Sequence, residues 1–227
     1  MIRHSTGPSY KVVSATEWHH GTDILIGGFS ESGTPYIVHR ERLQKDSPLR
    51  VLTRIRLDDS TGAPLAEDVL DTLVSERGDF IHALIAYDDG AVDLPMLLPS
   101  SETLVIRCYD AAAAFLHEVE ICREIFVLRD KLFRPDHPDY AYLRLHNGLH
   151  LLSWSRKEGN AVRLYLSVFD ADWRLLDIPY PVSSSSAGDQ LRSAVALHND
   201  TLAVAWMDNG NGDCAVMYRR IPLDMIV

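Results

Sequence analysis

Leu202-Ala203-Val204-Ala205-Trp206 is the stretch that decides the fold. In an extended chain Leu202, Val204 and Trp206 share one face and the two alanines the other, which makes a strand with one bulky and one small side. The same order of large apolar, small, aromatic and polar turn recurs at Gly27-Gly28-Phe29, Ile85-Ala86-Tyr87 and Leu152-Ser153-Trp154. Each aromatic is soon followed by a glycine: Gly33, Gly90, Gly159 and Gly210. Short strands recurring at roughly 50 to 65 residues predict an all-β repeat architecture, a β-propeller of about four blades. The small positions Gly28, Ala86, Ser153 and Ala205 are expected to face the next blade and accept its large residues.

Working outward, the repeats run roughly over 10–76, 77–121, 140–190 and 191–227, with an inserted loop at 122–139, all within a single domain spanning 1–227. Leu65, Val69, Leu70 and Leu73 approach helical spacing, but outer and inner strands fit the repeat better. The four alanines at 111–114 are too few to hold an isolated helix. Pro135 and Pro138 make the insertion a loop. The last repeat ends soon after Asp224, one strand short, so the segment before Tyr10 is expected to pair with it and close the ring, with dimerisation as the alternative.

A hydrophobic content of 46% with 24% charged residues is globular composition. The formal net charge of −10 opposes phosphate backbones, which speaks against nucleic acid as a partner. No apolar stretch reaches membrane-span length and residues 1–10 lack a signal-peptide core, so a cytoplasmic protein without a membrane partner is expected, monomeric or homodimeric. Cys108, Cys122 and Cys214 are widely spaced in apolar surroundings and read as reduced, buried residues.

Phe169-Asp170, then Gly188-Asp189-Gln190, then an apolar strand ending at Trp206 resembles the propeller-forming repeats of large bacterial surface and secreted proteins. The resemblance covers about 60 residues and implies fold rather than function. Asn199-Asp200 stands where those repeats turn on Asp-Gly, and the glycine-aspartate nonapeptides of their calcium-binding tails are absent.

Catalytic motifs are near misses. His117-Glu118-Val119-Glu120-Ile121 lacks the second histidine of a zinc-protease helix, and the residues around Ser30 lack the α/β setting of a nucleophile elbow. What remains is a set of acidic loops expected on one face, with Asp88, Asp89, Asp136, His137, Asp208 and Asp213 as candidate ligand-binding residues. No metal site or cofactor is expected. Oxygen ligands of this kind would suit only a calcium-like divalent cation. The sequence therefore points to a non-enzymatic binding or scaffolding propeller that recognises a protein or small polar ligand on its acidic face. The alternative is a glycosidase-like hydrolase using paired carboxylates in a central pocket.

Overall fold

The computed structural model describes residues 22–42, 49–74, 80–81, 83–98, 101–128, 137–145, 148–183, 188–210 and 214–226. The expected N-terminal closure, Asp136 and Asp213 lie outside them. The chain divides into two compact units, one built from the residues up to Met96 with Ile106–Glu118, the other from Leu97–Val105 with the chain from Val119 onward.

In the first unit, β1 (Thr22–Phe29), β2 (Pro35–Arg42), β3 (Leu49–Leu57) and β4 (Pro64–Val74) form one antiparallel sheet in chain order. The helical spacing around Leu65 is thus overridden: β4 pairs with β3 along its length, burying Leu70 while leaving Val69 exposed. The next sheet holds β5 (Phe80–Ile81), β7 (Val92–Leu98), β8 (Thr103–Tyr109) and β9 (Phe115–Cys122), with β6 (Ile85–Ala86) also pairing with β7. Its middle strands are buried on both faces, Leu94 and Leu97 on β7 and Val105 and Ile106 on β8 being enclosed. The boundary between the units runs through β7, β8 and β9.

The second unit adds a sheet of β12 (Tyr140–Arg144), β13 (His150–Glu158), β14 (Ala161–Phe169) and β15 (Tyr180–Pro181). A three-stranded sheet of β16 (Gln190–His198), β17 (Thr201–Asp208) and β18 (Ala215–Pro222) follows. These two sheets share one core, in which Leu151, Leu164, Leu166 and Val168 meet Leu202, Val204 and Trp206. Ser153 is fully buried, with its hydroxyl 2.6 Å from that of Ser193 on β16, so here the small position does face the following sheet.

The four copies of the motif are not equivalent, however. Leu152–Trp154 and Leu202–Trp206 lie on second strands, β13 and β17, whereas Gly27–Phe29 and Ile85–Ala86 lie on β1 and β6, just ahead of the turns into second strands. Phe29 is accordingly 67% exposed while Trp154 and Trp206 are each 4% exposed. Any one-sided strand can satisfy the pattern, so the pattern alone cannot count strands within a blade.

The turns after β3, β8 and β14, each the third strand of its sheet, mark the register better. Leu57-Asp58, Tyr109-Asp110 and Phe169-Asp170 each end such a strand, and each aspartate folds its carboxylate back onto backbone N–H groups: Thr61 at 2.8 Å, Ala114 at 2.8 Å and Arg174 at 2.8 Å. The αL position of these turns is taken by Gly62, Ala113 and Trp173. The hydroxyls of Ser60 and Thr61 together with the Thr61 amide hold the Asp58 carboxyl down at about 2. Residues 111–114 thus form this turn, and not a helix.

Two further expectations are corrected. The insertion is not all loop: Ile125 bridges to Arg156, and β10 (Val127–Leu128) pairs with β11 (His137–Pro138), a two-residue edge where the missing N–H of proline matters little. Cys108 and Cys122 are buried, but Cys214 is exposed beside β18, because a strand-like context does not say which face meets the core. Burial pushes the Cys122 thiol up to about 12.

Candidate functional site

Of the acidic residues selected from the sequence, the three that are described, Asp88, Asp89 and Asp208, each accept a hydrogen bond from a backbone amide. Asp88 accepts a hydrogen bond from the amide of Ser32 at 2.8 Å and so ties the β6–β7 turn to the β1–β2 turn. Asp89 accepts from Ala91 N at 2.9 Å within its own turn, and Asp208 from Gly210 N at 2.8 Å. His137 lies in β11, paired through its backbone with Leu128. Asp88 and Asp89 stand between the first and second strands of a sheet, Asp208 between the second and third, so they belong to turns of different class. Among the described residues no group of three or more His, Cys, Asp and Glu could hold a metal ion.

A cleft of about 750 Å³ opens instead in the second unit, at the edge of the insertion. Glu102, Glu124, Ile125, Phe126, Val127, Lys157, Gly159 and Leu191 line it. Its walls are assembled by main-chain hydrogen bonds. Ile125 N donates to Glu102 O at 2.9 Å, Phe126 N to Ser155 O at 2.7 Å, and Asp139 N to Phe126 O at 2.8 Å. The stretch that follows β9 is thereby drawn beside the residue before β8, beside β13 itself and beside the residue before β12. Among its lining residues, the half-buried Phe126, Val127 and Leu191 stand beside three charged groups that reach solvent, Glu102, Glu124 and Lys157.

Glu102 and Glu124 share a second property, a left-handed backbone with φ of 49° and 57°. For a residue with a Cβ this conformation costs about 1–2 kcal/mol, which glycine would avoid. Stability alone therefore does not select glutamate at either place.

Behind the cleft sits Asp139, 4% exposed, with both carboxylate oxygens 2.9 Å from the amide of Arg192. Arg192 follows the cleft residue Leu191, has φ of 52°, and lies where the β16–β17 register slips. Asp139 thus fixes the bulge that presents Leu191. Burial raises its pKa, opposed by the Arg192 amide and the Ser155 hydroxyl. Nearby, Asp189 and Asn209 clasp one another: Asp189 N donates to Asn209 Oδ1 at 2.6 Å, and Asn209 Nδ2 to Asp189 Oδ2 at 3.3 Å.

None of Glu102, Glu124 and Lys157 was singled out by sequence reasoning. A signal was available in the β8–β9 hairpin: Glu102 immediately precedes β8 and Glu124 follows β9 by two residues, so antiparallel pairing returns them to the same end of the sheet.

No protein-family model matches the chain, and no curated protein does. Solved structures do. A Bacteroides caccae protein of unknown function is 11% identical with a TM-score of 0.58, over 91% of this chain and 66% of its own. One of unknown function from Dyadobacter fermentans is 14% identical with a TM-score of 0.55, over 86% and 52%. The fold is propeller-like. A puromycin-hydrolyzing peptidase from Mycobacterium tuberculosis matches at 14% identity and a TM-score of 0.51, over 89% of this chain and 28% of its own. The chain thus spans less than two thirds of each of these proteins, and at such identities the likeness is one of fold. Among the described residues no helix is long and apolar enough to cross a membrane.

Proposed function

We propose that this propeller-like chain is a non-enzymatic binding or scaffolding module, and that its cleft beside Phe126 receives a protein segment or small polar ligand. The observation that carries this reading is the cleft itself. Its volume is of ligand-site size, and it sets three partly accessible apolar side chains beside three charged groups. Asp139 and the main-chain ladder hold its walls in place, which lowers the ordering cost of binding.

The hydrolase alternative uses the same two carboxylates. Glycoside cleavage needs one carboxyl kept protonated by an apolar setting beside another that stays ionised. Glu102 and Glu124 are both exposed, a setting that favours binding over proton transfer. The puromycin-hydrolyzing peptidase is a much longer protein, and its activity lends no residue to this chain.

The test is a thermal-shift series with the intact chain and its Phe126→Ala variant, using neutral oligosaccharides and short peptides of either charge. A rise in midpoint for at least one class, lost in the variant, is the expected result. A response that is the same in both proteins would move the site elsewhere. Turnover of a chromogenic glycoside, abolished by Glu102→Gln or Glu124→Gln, would replace the binding reading with the hydrolase.

A further inference from the structure

Resting on the binding reading, we infer that the cleft's occupant is a short peptide segment carrying a single basic residue flanked by apolar ones. The argument is charge complementarity combined with the shape of the lining. Glu102 and Glu124 bring two carboxylates to a site whose backbones are joined by the bond from Ile125 N to Glu102 O. A guanidinium presents a planar fork of donors to carboxylates and is less strongly hydrated than an ammonium, so arginine suits such a rim better than lysine. Phe126, Val127 and Leu191, each half-buried, offer apolar surface for the residues on either side of the cation, and Ile125 is buried beneath them. Phe126 also provides an aromatic face that a guanidinium can approach.

Lys157 narrows the choice. It lines the same cleft, so a tract of consecutive cations would set like charges against it, whereas one basic residue between apolar neighbours leaves room for a carboxylate or a backbone carbonyl at the lysine.

The experiment is fluorescence anisotropy of three labelled hexapeptides with the intact chain: one with a single arginine between leucines, one with glutamate in its place, and one of consecutive arginines. Xylotetraose is tested in parallel by its shift of the thermal midpoint. The single-arginine peptide should bind more tightly than the other two, and its affinity should fall as salt rises. The Glu102→Gln/Glu124→Gln variant should weaken it roughly tenfold, from two exposed pairs of modest strength. Lys157→Glu should strengthen it and narrow the gap to the polyarginine peptide. Unchanged thermal midpoints confirm that the variants remain folded. Equal binding of the acidic peptide, or no effect of the double variant, would overturn the inference. Tight binding of xylotetraose with no peptide bound would overturn it while leaving the binding reading in place, and silence from every probe would remove both.

Discussion

Asp139 shows how one side chain can serve a site that it does not line. Its carboxylate is enclosed and takes the amide of Arg192, so it holds the bulge that carries Leu191 into the cleft wall. Its pKa is raised by burial above the ordinary carboxyl value of 3.8, so the folded state holds the proton more tightly than the unfolded state. Stability from this group is therefore fully present below 3.8 and is lost as pH rises through the folded value. Asp139→Asn should remove that part of the pH dependence while keeping an acceptor for Arg192, and Asp139→Ala should cost about 1–3 kcal/mol more by leaving the amide unsatisfied. Urea midpoints of the three proteins measured between acid and neutral pH check this. A pH profile unchanged by Asp139→Asn would show that another group sets it. Nothing in the local sequence, Pro138-Asp139-Tyr140, announces this role, because the partner amide lies far along the chain at Arg192.

At the scale of the strand, the sequence told more about faces than about register. The alternation at 202–206 correctly placed Leu202, Val204 and Trp206 against the core. Equating that stretch with Gly27-Gly28-Phe29 and Ile85-Ala86-Tyr87 sets the first strands β1 and β6 level with the second strands β13 and β17, since a one-sided strand looks the same wherever it stands in a blade. The aspartates that open the turns at Asp58, Asp110 and Asp170 would have helped fix the count, since the turns after β1 and β6 open on Ser30 and Tyr87 instead. The cleft was harder to read: its residues come from four separated stretches, and only the Glu102 and Glu124 pair is related by a single hairpin. The faces yield a test. Ser153 is enclosed opposite Ser193, so Ser153→Leu should overpack the joint between the sheets and cost about 1–3 kcal/mol. Ala205 lies on the other side of β17 from the core, opposite Ala194 and Tyr218, so Ala205→Leu should change stability by no more than about 0.5 kcal/mol. Chemical denaturation of both variants settles the comparison, and a larger loss for Ala205→Leu would mean that the outer face of β17 is covered.

Over the whole molecule, the three thiols report on different regions. Cys214 is exposed, Cys108 is buried in the part of β8 that belongs to the first unit, and Cys122 is buried in the second. A thiol reagent under native conditions should modify Cys214 alone, and peptide mapping identifies the site. With increasing urea, Cys108 and Cys122 should become reactive together, since β7, β8 and β9 each give residues to both units and neither can lose its share of strand independently. Separate midpoints for the two cysteines would show that the units unfold one after the other.

That interleaving sets an order on synthesis. A nascent chain that has just emerged past Met96 has made most of the first unit but still lacks Ile106–Glu118, and the next residues out, Leu97–Val105, are committed to the second. Until Glu118 has left the ribosome, the apolar length of β7 has no complete sheet to enter, and beyond it the second unit still awaits a hundred residues of translation. The exposed strand in that interval is the kind of segment that chaperones hold, so the yield of folded protein should depend on elongation rate across β7 to β9 more than anywhere else in the chain.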